Sequence, residues 1–120
     1  MDMVTMNIIE LAMVAICREM GVNVQKTAYS TIFSEAEDYS CALASPEGEM
    51  IAVAEYCPAQ IGGVPLLVRS MVKEISISNI KPGDVIVHND PYRGGLHTPE
   101  HTMFKPIFVD DELMGFAVCI

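Results

Sequence analysis

The segment Thr5–Met20 predicts a helix that is apolar on nearly every side. Apolar residues recur at the helical spacing along one face: Ile8, Leu11, Ala12, Ala15 and Ile16. Others widen that face: Ile9, Met13 and Met20. Gly21 follows at the place of a C-terminal cap. Because an all-round apolar helix needs neighbours on several sides, and a chain of 120 residues offers few, we expect part of the protein to lie outside this chain.

The composition is that of a folded, acidic protein. Hydrophobic residues make up 51% of the chain and charged residues 19%, which excludes intrinsic disorder. Seven basic and sixteen acidic residues give a net charge of −9, so neither a nucleic acid nor an anionic membrane surface is an expected partner. The best apolar stretch, Ile8–Cys17, contains Glu10 and is shorter than the roughly 18–20 residues of a membrane span. With no basic region of a secretory signal before it, we expect a cytoplasmic protein.

The four cysteines are widely spaced along the chain: Cys17, Cys41, Cys57 and Cys119. They form no CxxC pair, so the spacing indicates neither a zinc knuckle nor a disulfide framework. Free cysteine is among the residues most often found in protein interiors. We therefore expect reduced, buried thiols.

A hairpin is predicted after the first helix. The short apolar runs Tyr39–Leu43 and Met50–Val53 have the length and partial alternation of strands. The segment Ser45–Gly48 between them has proline at its second position and glycine at its fourth, which suits a type I turn.

A second helix and three more strands complete the pattern. The helical repeat runs from Val64 to Ile75, with Pro65 in the first turn and with Pro58, Gly62 and Gly63 in the loop before it. Three further strand-like runs follow a turn at 81–84: 85–87, 103–109 and 113–120. The last two are joined at Asp110-Asp111, which predicts a second hairpin. This order predicts an α+β fold of mixed helices and mainly antiparallel strands rather than a regular βαβ series. Because the last run is apolar up to Ile120, we expect residues 1–120 to be the N-terminal portion of a larger domain.

Polar, ionisable and glycine residues crowd together from His88 to His101, directly after an apolar strand. Loops at strand ends commonly display functional groups. His97 and Glu100 offer an imidazole and a carboxylate that suit zinc, manganese or iron. The alternative is ordinary turn chemistry, because a spacing of three residues on a loop does not fix a common side and Pro99 argues against a helix.

A second group of acidic residues, Glu35, Glu37 and Asp38, precedes the hairpin. It is either a second candidate site for chemistry or a solvated entrance to the strand, as most carboxylates are exposed. The sequence contains no GxSxG, P-loop or GxGxxG motif, so neither acyl-serine chemistry nor nucleotide binding is indicated in this segment.

Several ordered motifs together resemble the N-terminal part of the hydantoinase B/oxoprolinase family, which includes the large subunits of acetone and acetophenone carboxylases. The longest is the stretch Asn89–Gly95 followed by His97 and by Pro99-Glu100. The shorter ones spread over the whole chain: Asp2–Thr5, Glu19–Gly21, Thr27–Ser30, Asp38–Leu43 and Gly83-Asp84.

The resemblance implies one of the two parts of an ATP-dependent enzyme. A hydantoinase A-type partner would bind ATP and phosphorylate a carbonyl oxygen. The B-type part would then open a cyclic amide, such as a hydantoin, 5-oxoproline or another lactam, or take part in carboxylating a ketone. The alternative is a non-catalytic assembly module of such a complex.

The resemblance also implies site residues. His97 matches the first ligand of a divalent metal site, and Glu100 matches a second ligand that is aspartate in the family; a third would lie beyond Ile120. Many members have histidine where this chain has Gln60, which is neutral and cannot act as a general base. The candidate catalytic residues are Glu35, Asp38 and Asp90, and the candidate substrate-binding residues are Gln60, Gly94 and Gly95.

Overall fold

A five-stranded antiparallel sheet lies between two long helices in the computed structural model, which describes residues 2–54 and 56–120. The helices are α1 (Met3–Thr27), α2 (Thr31–Ser34) and α3 (Pro58–Ile75). The strands are β1 (Cys41–Ala44), β2 (Met50–Val53), β3 (Ile86–His88), β4 (Thr102–Val109) and β5 (Glu112–Cys119). Single 3-10 turns occupy Ile77–Asn79 and Pro91–Arg93. The strand order is β2-β1-β5-β4-β3. The predicted α+β fold class is therefore confirmed.

The two faces of the sheet are covered by different helices. Alternate side chains of a strand point to opposite faces, and in β1 Ala42 and Ala44 pack in one apolar cluster while Leu43 packs in another. The first and larger cluster contains Val64, Leu67, Val68 and Met71 of α3. The second contains Cys17 of α1.

Both predicted hairpins are present. In the first, the Gly48 N–H donates to the Ser45 carbonyl at 3.0 Å, which closes the expected four-residue turn. In the second, β4 and β5 are joined at Asp110-Asp111, where both residues have positive φ, +48° and +65°. Positive φ at both central residues matches the right-handed twist of the flanking strands.

Helix α1 is longer than predicted. Gly21 does not cap it, because the helix continues to Thr27. A Cβ atom at position 21 would overlap the ring of Tyr56, so this glycine permits a close helix–ring contact instead. Only Cys17 and Gly21 of α1 are buried. The apolar side chains of its N-terminal half stay exposed: Met3, Val4, Met6, Ile8, Ile9 and Leu11.

Helix α3 begins six residues earlier than predicted, at Pro58 rather than Val64. Gly62 and Gly63 are therefore helical, and Pro65 lies inside the helix instead of in its first turn. Proline cannot donate the bond to the carbonyl four residues back, so Pro65 leaves the Ile61 carbonyl without that partner. The earlier start places Gln60 in the first turn of α3, with 1% of its surface exposed.

The predicted burial of the cysteines holds for two of the four. All four are free thiols, as predicted, but only Cys17 and Cys41 are buried, while Cys57 and Cys119 are partly exposed. Among the helices of residues 2–54 and 56–120, none is long and apolar enough to cross a membrane.

Candidate functional site

A tight turn brings His97 and Glu100 together. The Glu100 N–H donates to the His97 carbonyl at 3.1 Å. As a result, Nδ1 of His97 lies 2.8 Å from Oε1 of Glu100. The spacing of three residues, ambiguous in the sequence, is thus resolved by a turn that puts both side chains on one side.

Gln60 connects this pair to Asp38. Its Nε2 donates to Oδ1 of Asp38 at 3.3 Å and to Oε1 of Glu100 at 3.4 Å. A single buried amide therefore joins residues from three separate parts of the chain. We refer to Asp38, Gln60, His97 and Glu100 as the carboxylate cluster.

The carboxylate cluster carries acceptor oxygens that have no partner. Oε1 of Gln60 and Oε2 of Glu100 are both buried and accept no hydrogen bond from the part of the chain that the structure describes. Unpaired buried polar atoms are uncommon in proteins and call for an explanation such as a bound ion or ligand. These two oxygens are therefore the atoms of the cluster whose capacity to accept a hydrogen bond or a cation is unused.

Electrostatics couple the two ends of the 97–100 turn. The side chain of His97 is 70% exposed, whereas that of Glu100 is 18% exposed. The hydrogen bond to the Glu100 carboxylate, with the charge of that group, raises the pKa of His97 above its ordinary value. The protonated imidazole is thus favoured next to Glu100.

A cavity of about 240 Å³ opens beside the cluster. Its polar wall is formed by Asp38, His97 and Glu100, and its apolar wall by Ile32, Phe33 and Pro99. Helix α2 places the apolar wall, and Glu37, with a φ of +53°, turns the chain from α2 towards β1. Apolar walls with a few convergent polar groups are typical of small-molecule sites.

His101 lies outside the carboxylate cluster. Its Nδ1 is 3.0 Å from the Pro99 carbonyl oxygen. Its side chain lines a neighbouring cavity of about 350 Å³, which Glu100 and Cys119 also line. The two histidines of this loop therefore have different surroundings.

The other two candidate catalytic residues, Glu35 and Asp90, form hydrogen bonds with other parts of the chain. Glu35 is exposed and ends α2, with its N–H bonded to the Thr31 carbonyl. Asp90 caps the 3-10 turn 91–93, where its Oδ1 accepts the Tyr92 N–H at 2.9 Å and its Oδ2 lies 3.6 Å from Nε of Arg93. These contacts assign Asp90 a structural task in the loop, and its catalytic role stays a prediction.

The glycine pair shapes the backbone of the same loop. Gly94 has a φ of +104°, and a Cβ there would lie 3.3 Å from Leu66 and Leu67 of α3. A Cβ on Gly95 would lie 3.1 Å from the Asp90 carbonyl oxygen, which accepts the Gly95 N–H. Gly94 thus allows the loop to lie close to α3, and Gly95 allows the loop to turn back tightly on its own backbone at Asp90. Their binding of a substrate remains a prediction.

Two of the residues predicted to bind a metal lie on the 97–100 turn. His97 and Glu100 are adjacent, and the free Oε2 of Glu100 suits a cation. Within residues 2–54 and 56–120, however, no group of three or more His, Cys, Asp or Glu side chains is arranged to hold a metal ion. A catalytic metal site needs about three protein ligands, so the described residues fit part of such a site.

His88 is a polar residue of the interior that was not chosen from the sequence. Both of its ring nitrogens are buried with no hydrogen-bond partner in the described chain. It ends β3, opposite the buried Thr102 of β4. The signal available in the sequence is its place as the first polar residue after the apolar run 85–87.

Comparisons with known proteins cover nearly the whole chain. The family model for hydantoinase B/oxoprolinase matches residues 2–120. An uncharacterised protein of Methanocaldococcus jannaschii is 40% identical over 98% of this chain, which corresponds to 21% of that protein. The 5-oxoprolinase 1 of Arabidopsis thaliana is 36% identical over 97% of this chain and 9% of its own length.

Solved structures share the fold. The ATP-dependent caprolactamase from Pseudomonas jessenii superposes with a TM-score of 0.89 and 34% identity, over 99% of this chain and 20% of the caprolactamase chain. The chain therefore spans about a fifth or less of the length of the proteins it matches here.

Proposed function

The chain belongs to the hydantoinase B/oxoprolinase family, and we propose that it forms part of an ATP-dependent enzyme that opens a cyclic amide. The observation that carries the proposal is the carboxylate cluster beside a cavity with one apolar wall. The names of two similar proteins, a 5-oxoprolinase and an ATP-dependent caprolactamase, support a lactam or a related ring as the substrate.

ATP would be handled by a hydantoinase A-type partner. The sequence contains no phosphate-cradling glycine motif, which agrees with ATP binding by the partner. An unstrained amide hydrolyses poorly because resonance makes its carbonyl carbon a weak electrophile and its nitrogen a poor leaving group. Phosphorylation of the oxygen by the partner would make that carbon more electrophilic. This chain would then add water to the activated ring and release the ring nitrogen, and the resulting acyl phosphate would hydrolyse to the acid and phosphate.

Two side chains of the cluster suit the proton transfers of ring opening. Asp38 is exposed on the cavity wall and can accept a proton from the attacking water. His97 is favoured in its protonated form by Glu100 and can donate a proton to the departing nitrogen. Gln60 stays neutral and fixes the positions of the carboxylates of Asp38 and Glu100.

In its neutral form, and in place of the role of proton donor, His97 would hold a divalent metal (zinc, manganese or iron) together with Glu100 and a further ligand from outside the described residues. Such an ion would polarise a carbonyl group or lower the pKa of a bound water.

The test uses the full-length protein together with its partner subunit. Hydantoin, 5-oxoproline and larger lactams are each supplied with ATP, and the ring-opened acid and the ADP formed are measured. We expect equal amounts of both products with at least one ring, and a loss of about 100-fold or more in kcat for Asp38→Asn. Asp110→Asn, which removes a carboxylate in the exposed β4–β5 turn, should leave kcat unchanged.

Two results would overturn the proposal. Consumption of bicarbonate and a ketone, with no ring opened, would identify a carboxylase. A complex that assembles but converts no ring would identify a non-catalytic assembly module.

A further inference from the structure

Cys41 and Cys119 face each other across strands β1 and β5. Ser40 and Ile120 exchange both of their backbone hydrogen bonds, at 3.1 and 3.0 Å, so the next pair, Cys41 and Cys119, is a non-hydrogen-bonded pair. The Cα atoms of such pairs are about 4.5 Å apart. That separation lies within the range of roughly 4.4–6.8 Å that a disulfide bridges. The two Sγ atoms are 3.8 Å apart.

The two thiols differ in access. Cys41 is fully buried, whereas Cys119 is partly exposed and lines the cavity of about 350 Å³ next to Glu100 and His101. The Cys41 thiol donates a hydrogen bond to the Cys119 sulfur, and this bond lowers the pKa of Cys119, whereas the same bond and burial raise the pKa of Cys41. Because the thiolate is the attacking species, a reagent should react first with Cys119. Cys41 is then the resolving thiol.

We propose that Cys41 and Cys119 form a redox modification site that closes to a reversible disulfide by exchange with a small disulfide of the glutathione type. This role is independent of the proposed ring-opening activity, because it depends only on the β1–β5 register and on access to Cys119.

The exchange takes two steps. The Cys119 thiolate attacks one sulfur of the small disulfide, forms a mixed disulfide and releases one small thiolate. Cys41 then gives its proton to the thiolate released in the first step and attacks the Cys119 sulfur, which expels the second small thiolate. The two protein thiols lose two electrons in total, and the small disulfide gains them and leaves as two thiols. Closing the disulfide at this register calls for side-chain rotation rather than a shift of the strands, because non-hydrogen-bonded pairs of an antiparallel ladder have a Cα separation that a disulfide bridges.

The remaining cysteines provide matched controls. Cys17 is fully buried on the α1 side of the sheet, in the cluster that contains Leu43. Cys57 directly precedes α3. Neither faces another cysteine across a strand pair of the described sheet.

The test is carried out on the full-length protein under non-denaturing conditions. It is incubated with mixtures of oxidised and reduced glutathione, alkylated, digested with trypsin and mapped by mass spectrometry. We expect a cross-linked peptide that joins the segments of Cys41 and Cys119, and this peptide should disappear after treatment with dithiothreitol. Because the tryptic peptide of Cys41 also contains Cys57, the map is repeated with Cys57→Ser to assign the sulfur.

Single cysteine-to-serine variants test which sulfur atoms form the cross-link. Cys17→Ser and Cys57→Ser should keep the cross-link, and Cys119→Ser should abolish it. In Cys41→Ser, glutathione should accumulate on Cys119 as a mixed disulfide. The map of the parent protein decides the question even where a variant does not fold. A mixed disulfide on Cys119 that never resolves in the parent, a link from Cys41 to Cys17, or four alkylated thiols at every glutathione ratio would each overturn the proposal.

Discussion

The Nδ1 atom of His97 lies 2.8 Å from the Oε1 atom of Glu100. The other oxygen of the same carboxylate, Oε2, is buried and accepts no hydrogen bond from residues 2–54 and 56–120. Glu100 therefore contacts the exposed imidazole through one carboxylate oxygen and keeps the other oxygen in the interior. This arrangement determines how the His97 side chain should titrate and which substitutions should weaken metal binding.

The pKa of His97 should lie above the ordinary value of about 6.5 in the metal-free protein. Since the folded pKa is raised, the pair contributes stability that is complete below about 6.5 and is lost as the pH rises through the folded pKa. Glu100→Gln removes the negative partner and should return the His97 pKa towards 6.5. NMR titration of the histidine ring protons, assigned with a His97→Gln variant, measures the change. A His97 pKa that is the same in the parent and in Glu100→Gln would show that the pair does not form in solution.

Metal binding should depend on His97 far more than on His101. Loss of even an outer partner of a metal ligand typically costs about 10–100-fold in affinity, so His97→Ala should lose at least that much. His101→Ala is the matched control, because the His101 ring contacts the Pro99 carbonyl rather than Glu100. Glu100→Asp should preserve or improve binding, because the family resemblance implies aspartate as the ligand at this position.

The measurement is metal content by mass spectrometry after extensive dialysis of the full-length variants. Equal metal in the parent and in His97→Ala would remove His97 from the site. Metal lost only in His101→Ala would identify the other histidine as the ligand.

Local patterns predicted most of the elements but misplaced two helix boundaries. The β4–β5 hairpin follows from two apolar runs and an acidic turn, and all of its determinants are neighbours in the chain. The start of α3 at Pro58 does not follow from its local sequence, because Gly62, Gly63 and Pro65 individually disfavour a helix. The loop that packs on this helix is distant in the sequence: a Cβ on Gly94 would lie 3.3 Å from Leu66 and Leu67. No pattern within α3 contains that information.

The carboxylate cluster was predictable residue by residue but not as an arrangement. His97 and Glu100 could be chosen from their chemistry, whereas their common side depends on the 97–100 turn. The contacts of Gln60 join positions 22 and 40 residues apart in the sequence, with Asp38 on one side and Glu100 on the other. Distances of that kind follow from the packing of α3 on the sheet, which spacing along the chain does not encode.

Gln60→Glu should destabilise the folded protein. The change keeps the shape of the side chain, removes both amide donors and places a third carboxylate beside Asp38 and Glu100. We expect a loss of about 1–3 kcal/mol in the free energy of unfolding at neutral pH. Gln60→Met removes the donors without adding charge and should cost less.

Urea denaturation of both variants, followed by circular dichroism, measures the difference between them. That difference should shrink as the pH falls towards the ordinary carboxylate pKa of about 4, because protonation removes the like-charge repulsion. Equal stability of the parent and Gln60→Glu at neutral pH would contradict the contacts of the buried amide.

Two glycine-to-alanine substitutions should change stability in opposite directions. Gly62 lies in α3 with open space around it, so Gly62→Ala should raise the free energy of unfolding by about 0.5–1 kcal/mol through helix propensity. Gly115 lies in β5, the central strand, where a Cβ would overlap the Ala44 carbonyl oxygen of β1. Because that obstacle is backbone in a paired strand, Gly115→Ala should lower stability by about 1–3 kcal/mol. Urea denaturation of the two variants beside the parent checks both signs, and a neutral Gly115→Ala would mean that β1 and β5 are not in contact at this register.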